Sequence, residues 1–118
     1  MTDALPTTAF KILSRADWRA TLAEGAYDGS PVDHADGYIH LSAADQLAVT
    51  AAKHCAGQSD LMLVEVDLDA LGETLIWEPS RGGALFPHIY GPLPVAATRH
   101  ARALSVTDAG DMILSELP

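Results

Sequence analysis

Two short strand-like runs in this sequence each lead directly into the start of a helix, and this arrangement limits the possible folds more than any other feature. The first run is Phe10 to Leu13 and the second is Tyr38 to Ser42. An S-x-x-D pattern, in which the serine caps a helix, begins directly after the first run and at the last residue of the second. The pattern predicts helices over about Arg15 to Glu24 and Ala43 to Ala56, each followed by a glycine. The chain therefore begins as strand, helix, strand, helix.

The second half of the chain consists mostly of short strand-like segments. Leu61 to Val66 is an apolar run that suits a central strand. Further strand candidates are Thr74 to Trp77, Phe86 to Leu93, Val95 to Thr98 and Ala103 to Val106. Tyr27 to Gly37 is rich in turn-forming residues, and we interpret it as an ordered loop. Together these segments predict a single α+β domain over residues 1–118.

The charge balance excludes several classes of partner. The 118 residues carry 7 Lys and Arg against 16 Asp and Glu, a formal charge of −9. Such a surface repels phosphate backbones and anionic lipid, so we expect neither nucleic acid nor a membrane as partner. Cys55 alone forms no internal disulfide, and the first residues do not resemble a signal peptide, so we expect a cytoplasmic protein. The sequence leaves the oligomeric state open.

Two distant segments each carry a histidine and a tyrosine around an isoleucine, namely Y-I-H at residues 38–40 and H-I-Y at residues 88–90. In an extended chain the two polar rings of each segment share a face opposite the isoleucine. Burial of both faces in a core would require partners for two imidazoles and two phenols. We therefore predict that the two faces line one shared cleft. The alternative is that neighbouring groups simply satisfy each ring.

Weaker patterns lie between these segments. S-R-G-G at residues 80–83 can offer backbone N–H groups and a guanidinium to a phosphate, or it is a common turn. Glu78 beside Trp77 is either a surface charge or a carboxylate next to a stacking ring. Cys55 lies on the apolar side of the second predicted helix, and His54 has no partner at metal-ligand spacing, so we expect no metal site. Hydrolase and dinucleotide-binding motifs are absent from the sequence.

Several motifs, taken in order, resemble an uncharacterised bacterial family, domain of unknown function 952. They are D-G-Y-I-H-L-S, a following helix with Gln46 and Thr50, L-I-W-E-P-S-R-G-G, and F-P-H-I-Y-G-P-L. The resemblance extends from K-I-L-S-R-A-D-W near the N-terminus to Leu93. It implies an ADP-ribosyltransferase-like fold, which is a split, strongly bent antiparallel sheet with two main helices around a cleft. In relatives of that fold the cleft holds NAD.

The resemblance also implies roles for individual residues. His40 stands where a first-strand histidine contacts the ribose of the nicotinamide half, and Tyr90 would stack on the nicotinamide ring. Transferases that modify proteins usually carry a glutamate on a late strand. Here His88 occupies a comparable place and Glu78 is the nearest carboxylate, so we do not expect transfer to proteins. The expected site has two catalytic residues, His40 and His88, and five binding residues, Tyr38, Ser42, Gln46, Arg81 and Tyr90.

Two functions are consistent with such a site. The first is an enzyme that processes NAD or a related ADP-ribosyl small molecule, of the ADP-ribosyl transferase or NAD glycohydrolase type. In this enzyme His40 holds the ribose hydroxyls, Arg81 neutralises pyrophosphate charge, and His88 acts as a general acid or base. The alternative is a non-catalytic nucleotide-binding or interaction module of the same fold. In both, the expected partner is a small-molecule nucleotide.

Overall fold

The computed structural model describes residues 5–80 and 83–115. The strands are β1 Thr8–Ser14, β2 Ala26–Tyr27, β3 Ile39–His40, β4 Leu61–Asp67, β5 Leu75–Ser80, β6 Ala84–Ile89, β7 Leu93–Pro94, β8 Thr98–Val106 and β9 Met112–Ser115. The α-helices are α1 Arg15–Glu24, α2 Pro31–Asp36 and α3 Ala44–His54. This composition confirms the predicted α+β class. No helix within the described ranges is long and apolar enough to cross a membrane.

The described strands form three antiparallel sheets, two of which are joined by a backbone bridge. The larger sheet has the order β1-β4-β8-β9, a second has the order β3-β6-β5, and β2 pairs with β7. The backbones of Phe10 and Ser42 exchange hydrogen bonds of 2.8 and 2.9 Å. Because Phe10 lies in β1 and Ser42 follows β3, this bridge holds the three-stranded sheet against the four-stranded one.

Strand β4 lies in the middle of the larger sheet and separates two hydrophobic clusters. Its successive residues face opposite sides, as the two-residue period of a strand requires. Val64 joins the cluster that contains Trp18 of α1 and Ile89 of β6. Leu63 joins the other cluster, which contains Leu47 of α3. The predicted buried central strand is confirmed.

The first predicted helix has the predicted bounds. Ser14 Oγ accepts a 3.0 Å hydrogen bond from the Asp17 backbone N–H, and Gly25 ends α1 with a φ of +88°. The predicted cap of the second helix is wrong by one residue. Its N-cap is Ala43, whose N–H donates to Gln46 Oε1 at 3.0 Å. The preceding serine cannot serve as cap, because its backbone is paired with β1 and its hydroxyl donates to α3.

Two local predictions are wrong. The segment from Tyr27 to Gly37, interpreted as a loop, contains α2. Ser30 Oγ accepts from the Asp33 N–H at 3.2 Å, and Asp33 Oδ2 accepts from the Ser30 N–H at 2.8 Å, which closes a capping box. The S-P-V-D pattern, with proline at the first helical position, is the signal for this helix. The predicted strand Val95 to Thr98 begins as a single 3-10 turn, closed by a hydrogen bond from the Thr98 backbone N–H to the Val95 carbonyl, to which Thr98 Oγ1 also donates at 2.7 Å.

Candidate functional site

Strands β3 and β6 place two histidines directly opposite each other. In this antiparallel pair Ile39 lies opposite Ile89, and His40 lies opposite His88. The two isoleucines are 3% and 0% exposed and belong to the core. Successive residues of a strand point to opposite faces, so the two histidines point away from that core. The register of one short strand pair therefore sets the orientation of the site.

Four aromatic rings from the two segments pack against one another. Tyr38 stacks on His88, with 4.1 Å between the ring centroids and 29° between the planes. Tyr38 also contacts His40 at 4.7 Å and Tyr90 at 5.2 Å, and the two imidazoles meet edge to face at 5.4 Å. We call Tyr38, His40, His88 and Tyr90 the four-ring cluster. The structure thus brings together the two polar faces that the sequence analysis singled out.

Strand β5 adds a carboxylate to the four-ring cluster. Glu78 Oε1 accepts a 2.6 Å hydrogen bond from the Tyr90 hydroxyl and lies 2.8 Å from His88 Nδ1. The hydrogen bonds from Tyr90 and His88 lower the pKa of Glu78. The same bond to the carboxylate raises the pKa of Tyr90 to about 12. Burial, followed by the charges of Asp36 and Glu78, raises the pKa of Tyr38. At neutral pH the cluster therefore presents an ionised glutamate and two neutral phenols.

His40 lies between carboxylates at both of its ring nitrogens. Asp33 Oδ1 is 2.6 Å from Nδ1, and Asp36 Oδ2 is 2.9 Å from Nε2. An ionised carboxylate only accepts hydrogen bonds, so both contacts are hydrogen bonds only when both ring nitrogens carry a proton. The two carboxylates therefore fix the orientation of the imidazole ring from both sides.

A buried ion pair supports the cluster from the β1 side. Lys11 and Asp33 are 8% and 3% exposed, and Lys11 Nζ lies 3.0 and 3.2 Å from the two Asp33 carboxylate oxygens. Lys11 Nζ also donates to the His40 carbonyl at 3.0 Å. Burial raises the pKa of Asp33, but Lys11 and the hydrogen bonds from Ser30 and His40 outweigh burial and bring this pKa to about 2. Burial lowers the pKa of Lys11, and Asp33 opposes this shift.

Comparisons with known proteins identify the family of the chain. The model of a family described as a protein of unknown function, DUF952, matches residues 12–101. The chain belongs to the DUF952 family. The crystal structure of protein CC0527 from Caulobacter crescentus is 50% identical to this DUF952 chain, with a TM-score of 0.86 over 91% of this chain and 94% of that one. The solution NMR structure of CC0527 gives 50% identity and a TM-score of 0.78, over 89% and 90% of the two chains.

No curated protein matches this DUF952 chain. The comparisons give the family and support an α+β chain of unknown function. They indicate neither NAD processing nor an ADP-ribosyltransferase-like fold. The activity on NAD and this fold type, both implied by the family resemblance, are therefore proposals.

The other residues expected at the site of this DUF952 chain make different contacts. Ser42 Oγ donates to Thr50 Oγ1 at 2.9 Å, which ties the end of the β3 segment to α3. Gln46 Nε2 donates to the Leu85 carbonyl at 2.7 Å, which ties α3 to β6. Both side chains thus position the elements that carry the cluster. Arg81 lies outside the described residues.

Sequence analysis missed three charged residues of the site, Lys11, Asp33 and Asp36. Both aspartates lie on α2, which was interpreted as a loop. The S-P-V-D capping pattern was the signal that would have placed them on a helix ending just before the Y-I-H segment. Lys11 lies in the apolar run of β1, and only its buried position reveals its role.

Open space lies beside the four-ring cluster. A cavity of about 200 Å³ next to α2 is lined by Asp33 and Tyr38, together with the neighbouring Ile39 and Ile89, but His40, His88 and Tyr90 do not line it. Among the described residues, the rings of the two polar faces contact one another, where the sequence analysis expected a cleft between them. They pack directly together, and ring-to-ring contact fills the space. Among the residues that the structure describes, no three His, Cys, Asp or Glu side chains are arranged to hold a metal ion.

Proposed function

We propose that this DUF952 chain is an enzyme that processes NAD or a related ADP-ribosyl small molecule, as a transferase or a glycohydrolase, on an ADP-ribosyltransferase-like fold. The observation that carries the proposal is the Glu78 carboxylate, which His88 and Tyr90 hold beside the Tyr38 ring. Antiparallel sheets joined at one bridge agree with the split sheet that the family resemblance implies.

The charges around the four-ring cluster favour a cationic ligand. On the β3 side, the Asp33 and Asp36 carboxylates face the buried Lys11 ammonium and the His40 ring. On the β5 side, Glu78 is an ionised carboxylate beside the aromatic rings. The nicotinamide ring of NAD is a cation, and aromatic faces attract cations. Tyr90, which is 45% exposed, offers such a face. The proposed counter-charge for the pyrophosphate of NAD is Arg81.

The same carboxylate suits the cleavage step. When nicotinamide leaves as a neutral molecule, positive charge develops on the ribose, and a fixed carboxylate stabilises that charge. We assign this role to Glu78. Its hydrogen bond fixes Nδ1 of His88, so Nε2 is the nitrogen that exchanges a proton with the acceptor. In the glycohydrolase form, water attacks the anomeric carbon, the nicotinamide–ribose bond breaks, and Nε2 takes the proton that water loses.

His40 acts as a ribose-binding residue in this proposal. Its Nδ1 is fixed by a buried carboxylate, whereas the Asp36 carboxylate at Nε2 is 48% exposed. A ribose hydroxyl replaces Asp36 at Nε2 when the ligand binds. This exchange requires no movement of the buried Lys11–Asp33 pair.

The test is nicotinamide release from NAD by the purified chain, followed chromatographically. We expect release to fall by about 10²-fold or more in Glu78→Gln and in His40→Ala, since each removes a group that contacts the reacting half of the substrate. The matched control is His100→Ala, which removes an exposed histidine of β8. Turnover in His40→Ala and Glu78→Gln equal to that of His100→Ala would refute the assignment.

A second candidate is a non-catalytic nucleotide-binding module. The observation that favours it is the stacking of Tyr38 over His88, which leaves His88 4% exposed. A proton-transfer residue must come within hydrogen-bond reach of its substrate. Calorimetry with NAD, ADP-ribose and nicotinamide separates the two candidates. Tight binding without product over several hours favours the non-catalytic module, whereas turnover of NAD excludes it.

A further inference from the structure

A second concave surface lies where β1 ends and α1 begins. This concavity of about 570 Å³ is lined by Ser14, Arg15 and Arg19 on one side and by Gln58, Ser59 and Asp60 on the other. The Arg15 backbone N–H donates to the Asp60 carbonyl at 2.7 Å, which fixes the two sides relative to each other. We call this surface the arginine pocket. It shares no lining residue with the four-ring cluster.

Within the described residues, the two arginines have no carboxylate partners. Arg15 and Arg19 are four residues apart on α1, so their side chains lie on the same face of the helix. No carboxylate in residues 5–80 and 83–115 lies within ion-pair distance of either guanidinium. The chain has only 7 Lys and Arg against 16 Asp and Glu, so two unpaired arginines in one concavity are unexpected.

Arg15 also carries an unsatisfied donor. Its Nε is buried and has no hydrogen-bond partner, and within the described part of the chain it is the only buried side-chain nitrogen or oxygen in this state. Such a donor costs free energy and in native proteins usually has a partner. The Asp17 backbone N–H in the first turn of α1 already donates to Ser14 Oγ. The groups available to a ligand here are therefore the guanidiniums and not the N–H groups of the helix end.

From this geometry we propose that the arginine pocket binds the phosphate group of a small molecule. A guanidinium presents parallel N–H donors that match two oxygens of a phosphate, and two guanidiniums balance the double charge of a phosphate monoester. Ser59 adds a neutral hydroxyl donor to the lining, and Gln58, whose Nε2 already donates to the His54 carbonyl at 3.2 Å, has a second amide hydrogen to offer. Asp60 is the one carboxylate in the lining, and it opposes the anion. This site does not depend on the function proposed for the four-ring cluster.

The experiment is a titration of the ¹⁵N-labelled chain with inorganic phosphate, ribose 5-phosphate and acetate at constant ionic strength, followed by NMR. We expect saturable amide shifts confined to residues 14–19 and 58–61. In Arg19→Gln, whose exposed side chain is not needed for folding, the affinity for phosphate should fall about tenfold or more. Asp60→Asn should tighten binding a few-fold, because a repelling charge is removed.

The matched control is Lys53→Gln, which removes one positive charge from α3, outside the pocket. It should leave the phosphate affinity unchanged. Equal loss of affinity in Lys53→Gln and Arg19→Gln, or shifts that do not saturate, would show diffuse attraction to positive charge and overturn the proposal. Acetate binding as tight as phosphate binding would overturn the phosphate assignment. Ribose 5-phosphate that binds more tightly than inorganic phosphate identifies an organic phosphate as the occupant.

Discussion

Substitution of Asp33 by asparagine tests whether the buried ion pair holds the candidate site together. The Asp33 carboxylate is 3% exposed and accepts hydrogen bonds from Lys11 Nζ, from the Ser30 N–H, and from the backbone N–H and Nδ1 of His40. Asparagine preserves the shape of the side chain and removes its charge. The Lys11 ammonium, 8% exposed, then loses the carboxylate that faces it.

We expect Asp33→Asn to lower the free energy of unfolding by about 3–5 kcal/mol, the usual cost of removing one partner of a buried ion pair. Each kcal/mol corresponds to roughly 4 °C in a domain of this size, so Tm should fall by about 12–20 °C. Urea unfolding at pH 7, followed by circular dichroism, measures the cost. The matched control is Asp36→Asn, at the other nitrogen of the same imidazole. Its carboxylate is 48% exposed, and its loss should cost about 1 kcal/mol or less.

The pH dependence separates the effect of charge from that of shape. The pKa of Asp33 is about 2 in the folded chain, against an ordinary value of 3.8. A lowered pKa in the folded state contributes stability that is complete above the unfolded-state pKa and is lost as the pH falls through the folded-state value. This contribution is about 2 kcal/mol, so the difference between wild type and Asp33→Asn should shrink by that amount between about pH 5 and pH 2. A difference that stays constant over that range, or one below about 1 kcal/mol at pH 7, would contradict the ion-pair account.

Three further predictions concern the site and the core. In an ultraviolet titration Tyr90, identified by comparison with Tyr90→Phe, should ionise with a pKa of about 12, and Glu78→Gln should return this pKa towards its ordinary value of 10.0. An unchanged titration in Glu78→Gln would show that the Tyr90–Glu78 hydrogen bond does not form. Ile89 is fully buried, so in urea unfolding Ile89→Ala should lower the free energy of unfolding by about 2–5 kcal/mol and Ile89→Val by about 0.5–1.5 kcal/mol. Equal losses in the two variants would be inconsistent with the position of Ile89 in the core. Gly110 has a φ of +93°, and an added Cβ would lie 2.8 Å from the Ala52 Cβ. Gly110→Ala should therefore lower the free energy of unfolding by about 1–3 kcal/mol, and no change in thermal unfolding would contradict this packing.

Local patterns in the sequence predict the elements that depend on local interactions. α1 follows from a capping serine, a glycine at its end and a tryptophan that packs on the core, and each of these signals lies within the helix or next to it. β4 follows from an apolar run that only Glu65 interrupts, because a strand buried on both faces needs no polar alternation. α2 has only six residues and a composition typical of turns, so its local signal is limited to the capping box and the proline at its first position. The 3-10 turn at Val95–Ala97 depends on a hydrogen bond that the apolar pattern does not indicate.

The candidate site was predictable only in part. The mirrored Y-I-H and H-I-Y segments predict a shared face, since alternation in a strand decides which side chains lie together. The contact of Lys11 with Asp33 joins residues 22 positions apart, and its contact with the His40 carbonyl spans 29 positions. These contacts depend on how β1 and α2 pack around β3, which no short pattern encodes. For the same reason the sequence did not reveal that the rings pack together beside a cavity.

The central claim is that the four-ring cluster is the ligand-binding site, and the histidine ring signals test it most directly. Of the 5 histidines, His40 and His88 belong to the cluster and His34 on α2 lines the adjoining cavity, whereas His54 on α3 and His100 on β8 line neither. ¹³C-labelled histidine rings can be followed by NMR during a titration with NAD. The account predicts saturable shifts of the His40 and His88 ring signals while His54 and His100 stay unchanged. Shifts of equal size at all of these rings, or no shift of His40 and His88, would contradict it.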